Sequence, residues 1–233
     1  MVKKYHIEFV EANAPITETV TKIGGQPVWV DEPQSPVSRE TGEQMQFLCQ
    51  VALDADLFDV PPAKVAYLFM TGGAEWEYVD GTWDPEAGEN AVIVQPSSEV
   101  PYDGRVETVP LPTGATLYRF EEVPDGGPRE AVPCEYAARL APGEEADLAS
   151  EDEQAGWDDE MYDAYFDSLA GNKVGGTPGF IQAEVYPEGG PWNLLLQLEM
   201  MELPCYVNFG DAGVGYAFIS ADGEKGRFLW QSY

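Results

Sequence analysis

The stretch TKIGGQPVWV, Thr21 to Val30, returns in altered form as NKVGGTPGFI, Asn172 to Ile181. Lysine, a β-branched residue, two glycines, a polar residue, proline and an aromatic two places on recur in both. One such match is weak, but the blocks after it are collinear. MQFLCQVAL (Met45 to Leu53) answers to WNLLLQLEM (Trp192 to Met200), each an apolar run carrying a glutamine, Gln50 or Gln197. AYLFMTGG (Ala66 to Gly73) and GYAFISADG (Gly215 to Gly223) share an aromatic-x-Phe pattern ending in a turn. AVIVQP (Ala91 to Pro96) and RFLWQS (Arg227 to Ser232) both close on glutamine. Four blocks in one order, with spacers of unequal length running over the surface, describe two diverged copies of one unit. Two copies are too few for a solenoid.

The blocks are strand-like in length, and the 24 glycines and 19 prolines punctuate too often for long helices. The fold expected is therefore β-rich α+β: internally duplicated antiparallel β units packed into one compact body, with few short helices. Repeat 1 runs from about 16 to 97, an acidic connector from about 98 to 167, and repeat 2 from about 168 to 233. One helix is expected over Asp158 to Ala170. Asp158, Asp159 and Glu160 suit its positive end, and Met161, Tyr162, Tyr165, Phe166 and Leu169 form an apolar stripe.

Within each unit the residues carry a mechanism. Gly24-Gly25 and Gly175-Gly176 permit positive φ in a tight turn. Pro27 and Pro178 push the residue before them toward extended geometry. The corner thereby aims Trp29 or Phe180 into the core. Gln50 and Gln197 lie in runs apolar on both sides, as in a strand covered on both faces. A buried amide must find partners, and the irregular Gly-Gly turn leaves backbone groups to supply them.

Charge narrows the function classes. The 233 residues carry 42 acids against 12 bases, a formal −30, and the segment Gly143 to Ala170 is dense in acids without one base. That field repels nucleic-acid phosphates and anionic lipid and attracts basic proteins. No direct nucleic-acid or membrane partner is expected. The N-terminal sequence lacks a signal-peptide pattern, and no apolar run reaches membrane length, so a cytoplasmic address is expected. Cys49, Cys134 and Cys205 are odd in number and widely spaced, without C-x-x-C, and are read as reduced thiols.

Catalytic motifs are lacking. His6 is the one histidine, and no nucleophile elbow accompanies it. No metal-ligand spacing and no cofactor fingerprint occurs; GDAGVG at Gly210 to Gly215 reads as a strand-connecting turn braced at Asp211. Lys22 and Lys173 are notable because bases are scarce, yet each copy keeps one before its glycines. Two arrangements are open: a cationic pair facing a ligand, or internal ion pairs with packed stems.

TKIGGQPVW with MQFLCQV, then NKVGGTPGFIQ with LLLQL, and finally FGDAGVGYAFI, resemble the YwqG-like family of bacterial proteins. A more distant likeness reaches the eukaryotic programmed-cell-death-two proteins, which escort a basic ribosomal protein; their zinc-finger ligands do not occur in this sequence. The resemblance implies a duplicated β-rich fold without established catalytic residues, and some bacterial relatives have been proposed as immunity proteins. The function expected is a non-enzymatic acidic module capturing a basic protein, with Glu151, Asp152, Glu153, Asp158, Asp159 and Glu160 as contact residues. Two alternatives stay open. One is a small-ligand binder or enzyme with a cleft between the repeats. The other is a general halophilic adaptation in which the charge names no partner.

Overall fold

The computed structural model describes residues 1–60, 63–72, 77–97, 106–107, 116–124 and 126–233. Parts of the expected connector, residues 98–105, 108–115 and 125, lie outside them, as does Gly73. The chain opens with the long strand β1 (Val2–Glu11), followed by β2 (Lys22–Gly24), the short β3 (Ser35–Pro36), β4 (Gln46–Ala52), β5 (Val65–Met70) and β6 (Asn90–Gln95). Next come β7 (Val106–Glu107), the hairpin β8 (Tyr118–Glu121) and β9 (Glu130–Pro133), and a second long strand, β10 (Glu135–Glu145). Two helices, α1 (Glu151–Gln154) and α2 (Asp159–Leu169), precede β11 (Lys173–Gly175), β12 (Trp192–Glu199), β13 (Val214–Ser220) and β14 (Gly226–Gln231).

Ten of these strands form one antiparallel sheet in the order β14-β13-β12-β11-β1-β10-β2-β4-β5-β6. Read from either edge, the order gives a last hairpin, a glutamine strand, a three-residue strand and then a long central strand. The duplication is therefore present in the backbone. The long strands change sides: β1, which precedes the first copy, pairs with β11 of the second, and β10, which precedes the second, pairs with β2 of the first. Tyr5 stands opposite Val174, and Tyr136 opposite Ile23. The sequence places β1 and β10 outside the repeats, because neither carries the repeated words.

The correspondence extends to irregularities. A bulge interrupts β4–β5 between Phe47 and Cys49, and another interrupts β12–β13 between Leu194 and Leu196. Ala63 and Ala212, each two residues before its strand (β5 or β13), hold positive φ of 67° and 47°. The Asp222-Gly223 turn connects β13 to β14, whereas Asp80-Gly81 turns within the longer β5–β6 connection.

Alternation along the strands distributes three cores. Leu48, Val51, Leu68, Val92, Leu195, Leu198, Ile219 and Phe228 point inward from both copies into one shared core. The sheet curls until its edges meet: a Cβ on Gly226 of β14 would fall 2.2 Å from a Val92 methyl of β6. On the outside, Phe47, Tyr67, Phe69 and Ile93 pack under Trp29 in the first copy, and Leu194, Tyr216, Phe218 and Leu229 under Phe180 in the second. Both corner aromatics thus cap an outer core.

A correction concerns the cysteines. Cys134 and Cys205 form a disulfide within the inner core, with Cα atoms 6.4 Å apart; only Cys49 is a free thiol. Residues 71 apart in sequence give no spacing signal, because their approach is made by the swapped strand β10.

Candidate functional site

Each corner is built from three side chains on three adjacent strands. In the first copy, Gln50 Oε1 accepts from Val28 N at 2.9 Å, and its amide donates to Val20 O at 2.8 Å. Tyr67 Oη donates to Val28 O and accepts from Val30 N, at 2.8 and 3.0 Å. Gln95 accepts from Asp31 N at 3.2 Å and donates to Glu32 O at 2.8 Å. In the second copy Gln197, Tyr216 and Gln231 repeat each role on Gly179, Ile181, Gln182 and Ala183. The chain leaving each Gly-Gly turn runs as an extended strap outside the sheet, and these buried groups replace the ladder it lacks. Burial raises both tyrosine pKa values, so the hydroxyls stay protonated donors. Glutamine partners in the turn are legible in the sequence; the tyrosines are hidden inside an aromatic pattern that reads equally as core.

Both lysines face inward. Lys22 Nζ, fully buried, donates to Gln26 O and to Glu135 Oε1, each at 2.5 Å. Lys173 Nζ donates to Thr177 O and Leu169 O at 2.7 Å and to both Glu145 oxygens at 2.9 and 3.0 Å. Lys4 reaches the same carboxylate at 2.5 Å, and Thr177 N donates to it at 2.6 Å. Burial lowers the Lys173 pKa to about 8 against the opposing pull of Glu145, and burial lowers that of Lys22 too. The second glycine of each corner has its reason in these carboxylates. A Cβ on Gly25 would lie 2.3 Å from the Glu135 carboxyl carbon, and one on Gly176 would lie 2.1 Å from Glu145 Oε1. With φ of 64° and 86° as well, each must be glycine for the carboxylate to approach.

The ligand-facing arrangement of the lysines is not what the geometry gives, since both ammonium groups end on internal acceptors. A cavity of about 270 Å³ does lie between the copies, lined by Gln46 and Met70 of the first, Val207 and Asn208 of the second, and Tyr118 and Phe120 of the β8–β9 hairpin. Neither lysine lines it. At the GDAGVG turn, Gly210 N donates to the Asn208 side chain, and Asp211 contributes its carbonyl, which accepts from Tyr233 N. Among the described residues, no group of three or more His, Cys, Asp or Glu side chains is placed to hold a metal ion.

The acidic contact residues fall on α1 and α2. Ser150 caps α1: Glu153 accepts from Ser150 N and Oγ at 2.8 and 2.7 Å, which lowers its pKa through the backbone bond first. Asp158 caps α2 by accepting from Met161 N at 2.9 Å. Asp152, Asp159 and Glu160 are exposed; the Glu151 side chain is outside what the structure describes. The helix ends as its sequence indicates, at Ala170 with Gly171 at φ 95°. Its stripe is only partly covered. Leu169 is buried, but Met161 and Tyr162 are 51% and 47% exposed, and the rings of Trp157, Tyr162, Tyr165 and Phe166 pack against one another tilted or edge-on.

A family model described as a domain of unknown function, DUF1963, matches residues 21–228. The chain belongs to that family. The match takes in both lysine corners, both glutamine strands and the disulfide, whereas β1 lies outside it. Comparison with curated proteins finds no match. No helix among the described residues is long and apolar enough to cross a membrane.

Proposed function

We propose that this chain is a non-enzymatic, YwqG-like module that binds a basic protein through its acidic exterior. The observation that carries the reading is where the positive charge goes. Of only six lysines, Lys4, Lys22, Lys64 and Lys173 are buried, each bound to a carboxylate inside the body. The exterior is therefore left to carboxylates such as Asp152, Asp159 and Glu160, with few bases to neutralise them. Such a surface steers a cationic partner and accelerates its capture. Neutralisation of a basic toxin domain and escort of a basic protein are the two roles that fit.

Affinity capture from the native host at low ionic strength, followed by mass spectrometry, tests this. A strongly basic protein should be retained and released by added salt; recovery of none would overturn the reading. Thermal unfolding at low and molar salt separates it from halophilic adaptation, because a partner-binding surface needs no salt to fold. Residence in the cytoplasm belongs to the same proposal, and alkylating free thiols in native extract tests it against the Cys134–Cys205 bond.

A further inference from the structure

Within the ten-stranded sheet the two copies match strand for strand, so the place where they differ most is informative. Ten residues separate β1 from β2 with no helix between them, whereas the equivalent connection from β10 to β11 carries α1 and α2. The inserted α2 creates a groove that the first copy lacks. Its volume is about 400 Å³; Tyr162 and Phe166 form the wall on the helix, Phe180 and Ile181 the wall on the strap, Val214 the floor on the sheet, and Met201 the rim. Tyr162 at 47% exposure and Met201 at 74% offer apolar surface.

Helical spacing orders the charge beside it. Tyr162, Phe166 and Ala170 follow one another at i, i+4, i+8, and Asp159, Asp163 and Asp167 form the adjoining row at the same interval. Among the described residues none of these three aspartates is in an ion pair, and no lysine or arginine lines the groove. An apolar row bordered by an acidic one is complementary to an apolar row bordered by a basic one. We infer that the groove between α2 and the Phe180 strap receives a basic amphipathic helix of the partner, with an apolar side chain against Tyr162 and Phe166 and lysines or arginines along the aspartate row. An α-helix laid along α2 repeats its side chains at the same rise of about 6 Å per four residues, which brings successive cations opposite successive aspartates.

This rests on the proposed capture of a basic protein and localises it. The test uses three synthetic peptides of equal length and charge: one with leucines and lysines at helical spacing, one with the same residues scrambled, and one with the leucines replaced by serine. Binding is read by titration calorimetry at low salt and by the methyl resonance of Met201, which lines the groove. The patterned peptide should bind at least about tenfold more tightly than the other two. It should shift the Met201 methyl signal and lose about tenfold in affinity with Tyr162→Ala and more with Asp163→Lys. Both positions are exposed, and circular dichroism of each variant checks that α2 is intact. If all three peptides bind alike and neither variant weakens the patterned one more than twofold, the groove is overturned while capture by the general acidic surface stands. If no basic peptide binds at low salt, the groove and the capture reading fall together.

Discussion

The two corners answer the same structural demand with opposite charge at one position. Where β10 passes the first Gly-Gly turn, the residue opposite Gly24 is Glu135, and it neutralises Lys22 directly. Where β1 passes the second, the residue opposite Gly175 is Lys4, which adds to the charge of Lys173. A carboxylate from the far end of β10, Glu145, then serves both ammonium groups. Backbone requirements have held the glutamines, tyrosines, glycines and bulges in register through divergence. Charge has been free to move, provided each ammonium reaches a carboxylate. The second corner consequently holds two cations on one anion, and it is the more vulnerable of the two.

Removing the shared anion should therefore have the largest effect. Glu145→Gln leaves Lys4 and Lys173 buried without a counter-charge and weakens the bond from Thr177 N, at a cost of about 5 kcal/mol. Glu135→Gln strands one lysine at a site where the carboxylate is 14% exposed, and about 3 kcal/mol is expected. Urea unfolding of both variants measures the difference. Equal losses would mean that the triad and the pair are energetically alike and that the asymmetry is without consequence.

The duplication, the corner glycines, the amide partners and α2 are all legible because each rests on local chemistry written in the sequence. A glycine pair before proline has few other uses, and an isolated glutamine in an apolar run must find bonds. What the sequence conceals depends on the strand exchange. Glu135, Glu145 and Lys4 lie on β1 and β10, whose words are not repeated, so nothing marks them as partners of Lys22 and Lys173. The same exchange hides the disulfide. Cys134 immediately precedes β10, while Cys205 lies between β12 and β13, so the bond joins the lead-in of an exchanged strand to a loop of the second copy. Replacing both cysteines by alanine should cost about 4 kcal/mol, from the loop of 71 residues that it closes. Unfolding followed by fluorescence and by circular dichroism should stay a single coincident transition, since Leu48 and Leu195 share one core regardless. Two separate transitions would show that the bond, rather than the shared core, couples the halves.

The smallest expected effect separates the corners by their protons. An unfolded lysine titrates near about 10.4, whereas burial brings native Lys173 to about 8. Between those values the unfolded chain holds more protons at this group than the native one. Its contribution to unfolding free energy must then rise with pH across that window and be flat below it, by at most about 1.4 kcal/mol per pH unit. Two kinds of group act oppositely: the buried Cys49 thiol, whose pKa burial raises, from about pH 8.5, where unfolded thiols ionise, and Tyr67 and Tyr216, also raised by burial, near and above about pH 10. Denaturant unfolding at about pH 7, 8, 9 and 10 should show the rise in a Cys49→Ala background, which removes the opposing thiol. Lys173→Met in that background should remove the larger part of it, leaving the smaller rise contributed by Lys22, whose pKa burial also lowers. Persistence of the full slope in that variant would assign the proton elsewhere, and the second corner would lose its distinction from the first.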